Sequence, residues 1–169
     1  MKIFNKKGMT LLEVMVVVLL IAGMASIAYP SYLSSVEKAK VSEAVKLVAH
    51  TMTSAQQYYE ENDRYPNNFN DLDFQITGKD VSINGAVATT QNFNIKISPE
   101  GDADCGTNEI CAFRCKNLES GNCKYKYIIK GNLSTGALSC VTGGSSNDKK
   151  ICASLGKLAS GASNIYAID

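Results

Sequence analysis

The chain has no tryptophan, one histidine (His50), three prolines and, before residue 105, no cysteine. Each scarcity excludes something. A single histidine without an acidic or nucleophilic neighbour in sequence does not make a catalytic constellation, and His50 reads as a helix-surface residue. Few prolines argue against a low-complexity chain. Neither "GGSSND" nor "GDADCG" has the spacing of a P-loop or an EF-hand. Charge of one sign is also missing: 17 Lys and Arg face 16 Asp and Glu. Without the first eight residues, which hold Lys2, Lys6 and Lys7, the counts are 14 and 16, a net of −2. Such a balance does not mark a strongly basic nucleic-acid binder. At 169 residues the chain is long enough for one domain with a real core.

What is present is unevenly placed. All six cysteines fall between Cys105 and Cys152, with no C-x-x-C among them and His50 remote in sequence. Zinc ligands usually come in tighter pairs, so disulfides in an oxidising compartment are the reading. Asp102 and Asp104 read as a solvated turn, with a calcium loop as the alternative. Asn132-Leu-Ser134 matches a glycosylation sequon, a spacing that chance often produces.

The N-terminus carries a long hydrophobic run. After a short basic segment, Met9 to Ala28 is apolar except for Thr10, Glu13 and Ser26, with Gly23 inside it. About 20 such residues span roughly 30 Å of hydrocarbon as a helix. The preceding lysines predict a cytoplasmic start. "AGMASIA" also suits a secretory signal cleavage site, but the helical pattern continues past it. Val41, Val45, Val48, Met52, Ala55 and Tyr59 recur at steps of four and three, while Lys40, Ser42, Glu43, Lys46, Gln56 and Glu60 lie between them. This predicts one helix over Met9–Glu61, apolar all round at first and amphipathic later, with Pro30 removing a backbone donor and bending it. Glu13 is then an anomaly. A carboxylate at mid-bilayer costs on the order of 2.5–3.5 kcal/mol.

Those residues carry a resemblance. "KKGMTLLEVMVVVLLIAGMASIAYPSY" closely resembles the N-terminus of type IV prepilins. The resemblance implies that a prepilin peptidase cuts between Gly8 and Met9 and N-methylates Met9. The family usually has Phe where this chain has Met9. Glu13 becomes the family's glutamate and Pro30 its helix-bending proline. Cleavage creates an α-amine four residues before Glu13, so that the amine of one subunit can meet the carboxylate of another in a filament core. The implied organisation is a leader (1–8), a transmembrane or filament-core helix half (9–30) and a globular pilin domain (31–169). Implied partners are other pilin subunits, the prepilin peptidase, the inner membrane and its pilus assembly machinery. The route runs from a single-pass inner-membrane precursor to an extracellular pilus. No cofactor, metal or catalytic activity is expected. The alternatives are a pseudopilin of a type II secretion system and, from another class, a membrane-tethered binding protein or enzyme.

Beyond the helix, Asn, Asp and Pro66 mark a loop, with a short helical turn at Asn68–Leu72. "NFNIKIS", "KYKYIIKG" and "GALSCV" alternate as strands, and "VSINGAV" reads as a hairpin about Asn84-Gly85. The fold class is therefore α+β, a long helix packed on an antiparallel sheet with a disulfide-bounded C-terminal region. The Cys140–Cys152 pairing rests on the pilin resemblance. Cys105, Cys111, Cys115 and Cys123 allow three pairings, of which Cys105–Cys111 with Cys115–Cys123 is the most local. Tyr58-Tyr59 reads as core and helix-end packing.

Overall fold

The computed structural model describes residues 9–77, 80–115 and 125–168. These fall into two compact units that divide between Glu37 and Lys38. Helix α1, Leu11–Asn62, supplies the first unit and opens the second. It runs through Pro30 and ends where Asp63 turns to φ 54°, the left-handed position in which a short polar side chain is tolerated, with the Asp63 N–H bonded to the Tyr59 carbonyl at 2.9 Å.

In the second unit a short 3-10 turn, Phe69–Asp71, leads into an eight-stranded antiparallel sheet among the described residues. Its strands are β1 (Ser82–Asn84), β2 (Val87–Thr89), β3 (Asn94–Ser98), β4 (Glu109–Cys115), β5 (Tyr125–Asn132), β6 (Leu138–Thr142), β7 (Lys157–Leu158) and β8 (Ile165–Ile168). The spatial order is β1-β2-β3-β4-β5-β6-β8-β7, so the last strand inserts between β6 and β7. Helix α2, Ser146–Ala153, lies between β6 and β7 in sequence. The β1–β2 hairpin closes through Gly85 and Ala86, and Gly85 takes φ 59° at the first turn position, where a side chain would be strained.

One face of the sheet meets α1. Val41, Ala44, Val48, Met52 and Ala55 share a core with Phe93, Ile95, Ile97, Ile110, Ala112, Tyr127 and Ile129. The buried stripe runs through the small residues Ala44 and Thr51, whereas Val45 is only half-buried and Tyr59 is exposed, stacked on Tyr65 at 4.6 Å. The stripe that faces the sheet therefore mixes Val41, Val48 and Met52 with the small residues Ala44 and Ala55. Thr51 is fully buried because its hydroxyl donates to the Leu47 carbonyl at 2.8 Å. Gly131 faces the same contact. A Cβ there would meet the Met52 sulfur and lie 2.8 Å from Val48 Cγ1. Gly131→Ala is expected to cost about 1–3 kcal/mol through overpacking, read as a lower denaturation midpoint.

The opposite face has its own small cluster, Cys105, Cys111 and Ile128, with Phe113, Tyr125 and Val141 packed against it. Cys105 and Cys111 are joined, with Cα atoms 6.1 Å apart, and tie the β3–β4 loop to β4. Of the three pairings open in the sequence, this is the local one. Cys115 is also disulfide-bonded. Cys123 lies outside the described residues. Cys140 of β6 and Cys152 of α2 form a further disulfide across a Cα separation of 5.6 Å.

The β3–β4 loop is pinned by charge as well. Asp102 pairs with Lys96, and its other oxygen accepts the Asp104 and Cys105 backbone N–H groups at 3.0 and 2.7 Å. The Lys96 hydrogen bond, with help from those amides, holds the Asp102 carboxyl below its ordinary value. A depressed folded-state pKa stabilises above the unfolded pKa, and that contribution disappears as pH falls through the folded value. Asp102→Asn is therefore expected to lower stability at neutral pH and to flatten the acid limb, the difference from the parent shrinking as pH falls. Unfolding midpoints measured across the acid range check this.

Candidate functional site

The first unit has a surface that its own chain does not cover. Every residue from Met9 to Ser35 is exposed, including Leu11, Leu12, Val14, Met15, Leu19, Ile21, Met24 and Ile27. By length and composition α1 is long and apolar enough to cross a membrane. A contiguous apolar surface of this extent exceeds what a soluble monomer ordinarily presents. It therefore calls for lipid or protein around it.

Glu13 stands at one end of this surface, in the first turn of α1. Met9 and Thr10 are non-helical. Thr10 begins the helix: its carbonyl accepts the Val14 N–H at 3.3 Å, and its Oγ1 accepts the Glu13 N–H at 3.3 Å. Thr10 is thus the N-cap and Glu13 the third helical residue, the T-x-x-E arrangement of a capping box. The family reading of "TLLE" did not bring out this cap. The signal was in the spacing of Thr10 and Glu13. A helix start carries partial positive charge, and a carboxylate in its first turn is favourable there. The same carboxylate suits an α-amine placed nearby. Gly8 lies outside the described residues. Met9 is exposed at the helix entrance.

Farther along, Ser26 donates its hydroxyl to the Gly23 carbonyl at 2.8 Å, so a polar side chain in the apolar run keeps its hydrogen bond within the helix. Pro30 sits inside α1 without a backbone donor.

Elsewhere, among the described residues, Cys105, Glu109 and Cys111 bring metal-type donor atoms together. Their chemistry does not suit a metal, because the two sulfurs share a disulfide and the Glu109 carboxylate accepts the Gly106 N–H at 2.7 Å and pairs with Lys130 at 3.3 Å. His50 is exposed and packs edge-on against Phe74 at 4.5 Å. Asn132 uses its side-chain oxygen to accept the Ser134 and Thr135 backbone N–H groups at 3.0 and 2.9 Å, shaping the β5–β6 turn.

Comparison with known proteins singles out the exposed helix. Residues 3–29 match the prokaryotic N-terminal methylation motif. A fimbrial protein of Neisseria meningitidis serogroup B (strain ATCC BAA-335 / MC58) is 28% identical over 102 residues, covering 56% of this chain and 60% of that protein. The chain carries this motif and is similar to type IV pilins. Other relatives include the type IV major pilin protein PilA of Myxococcus xanthus (strain DK1622), 34% identical over 41% of this chain and 32% of that protein. The type II secretion system core protein G of Pectobacterium carotovorum subsp. carotovorum is 31% identical over 44% of this chain and 47% of its own length. The chain thus spans 60% of the meningococcal protein and smaller shares of the other two. No solved structure matches it significantly.

Proposed function

We propose that this chain is the structural subunit of a type IV pilus, processed between Gly8 and Met9, methylated at Met9 and assembled through α1. The supporting observation is that the whole segment from Met9 to Ser35 is exposed, largely apolar as far as Ala28, with its one carboxylate in the first turn of α1. In the precursor that surface lies in the inner membrane, with the basic leader on the cytoplasmic side. In the filament it packs against copies of itself, and Glu13 of one subunit neutralises the Met9 amine of another. Pro30 bends the helix between the core segment, 9–30, and the globular domain, 31–169. The prepilin peptidase and the inner-membrane assembly machinery are the partners on this route. Adhesion, motility and DNA uptake are the tasks such a filament would serve. The role is structural and not catalytic.

The similarity to a type II secretion core protein favours a second reading, a pseudopilin. Mass spectrometry of sheared surface filaments tests both. A pilus subunit is expected to be abundant there, starting at a methylated Met9. Replacing Gly8 with a bulky residue is expected to leave full-length precursor in the inner membrane. A start after Ala28, or normal processing of that variant, overturns the assignment; a methylated Met9 start on protein absent from surface fibres selects the pseudopilin.

A further inference from the structure

Proteolysis needs an accessible, extended backbone, and peptides commonly bind in extended form through main-chain hydrogen bonds. A helical amide is already bonded within its own helix and is shielded by the turn around it. The Gly8–Met9 bond is only one residue from Thr10, where α1 begins. Without a stop signal, the strongly apolar helix that follows could extend toward the basic segment. The stop is visible: Met9 and Thr10 are non-helical, the first intrahelical bond goes to the Thr10 carbonyl, and the Thr10 hydroxyl closes the cap on the Glu13 N–H. An N-cap residue holds an extended backbone while its carbonyl already serves the helix.

The geometry points to Thr10 as a positioning residue for leader removal: its cap keeps Met9, the residue that follows the scissile bond, outside α1, where the peptidase can reach it. This rests on the processing proposed above. It assigns a distinct task to the threonine, separate from the charge of Glu13. Thr10 makes no chemical contribution to the cut. It sets the fraction of precursor in which Met9 is free of the helix. The cap also fixes Glu13 as the third helical residue, so the processed amine and the carboxylate keep a constant separation along the chain.

The test follows leader removal in cells by pulse-chase on the full chain, with four substitutions at position 10. Ser and Asn cap helices well; Val preserves the shape of Thr without the acceptor, and Gln is polar but caps poorly. Thr10→Ser and Thr10→Asn are expected to be processed near the parental rate. Thr10→Val and Thr10→Gln should be slowed about fivefold, the population ratio that a typical N-cap sustains. Resistance of each precursor to alkaline extraction from membranes confirms equal insertion. If insertion differs, detergent-solubilised precursors given purified peptidase supply the same comparison. Equal rates for all four variants, or rates ordered by side-chain size or polarity, overturn the positioning role while leaving the processing proposal intact. Failure of the parent chain to be cut between Gly8 and Met9 removes both.

Discussion

Glu13→Gln subunits are expected to be processed, membrane-inserted and folded, yet to enter filaments poorly when they compete with the parent chain in one cell. The capping box explains why this substitution isolates charge. Gln serves at the third helical position as Glu does, so the start of α1 at Thr10 is retained. On the proposed pairing, the lost quantity is the counter-ion for a buried amine on a neighbouring subunit. Removing one partner of a buried pair costs roughly 3–5 kcal/mol when the site is dry, because the remaining charge is left uncompensated. Against a competing parent subunit, even the lower figure corresponds to more than a hundredfold at about 1.4 kcal/mol per factor of ten. The globular unit is predicted to be indifferent, since Glu13 belongs to the other unit and is not among the residues of this core. The ratio of variant to parent in sheared filaments against the same ratio in membranes measures the effect. Equal ratios sink the pairing and would move Glu13 to a role in recognition by the peptidase or assembly platform.

Removing the Cys140–Cys152 bond is expected to be the most damaging change to the globular unit. Both residues are fully buried, and the bond is separated by 12 residues in sequence. The chain-entropy contribution for a loop of this size is about 3 kcal/mol, and loss of a native disulfide commonly costs 2–5 kcal/mol. Helix α2 depends on it: with eight residues it is far below the length at which a helix persists alone. A Cys140→Ala/Cys152→Ala double variant should therefore unfold earlier in denaturant, and the α2 amides should lose hydrogen-exchange protection before those of β4 and β5. A shift under about 1 kcal/mol, or uniform loss of protection, would show that packing alone holds α2.

Local and non-local information are separately written in this chain. Helix α1 was legible almost to its ends, Met9–Glu61 against Leu11–Asn62, because a long hydrophobic period survives whatever it packs on. Strands β3, β5 and β6 and the β1–β2 hairpin were legible from alternation and from Gly85. Strand β4 was not. In "EICAFRC" Ile110, Cys111 and Ala112 are all buried, since the disulfide-bound loop covers the second face, and so alternation disappears. Helix α2 was hidden because "SNDKKICA" buries only Asp148 and Cys152 and so resembles a polar disulfide loop. At the candidate site the charge anomaly of Glu13 was plain, while the cap by Thr10 went unread behind the motif that contains it.

By itself, then, the chain of residues determined the membrane-length helix, the amphipathic stretch after it, the basic segment in front of Met9 and the confinement of cysteine to the later half. Each of these is set by residues close together along the backbone. Tertiary structure decided the rest. It joined Cys105 to Cys111, inserted β8 between β6 and β7, and turned Ala44 and Thr51 rather than Tyr59 toward the sheet. Those outcomes depend on which distant surfaces pack at full density, such as the gap that Gly131 leaves for Met52 and Val48.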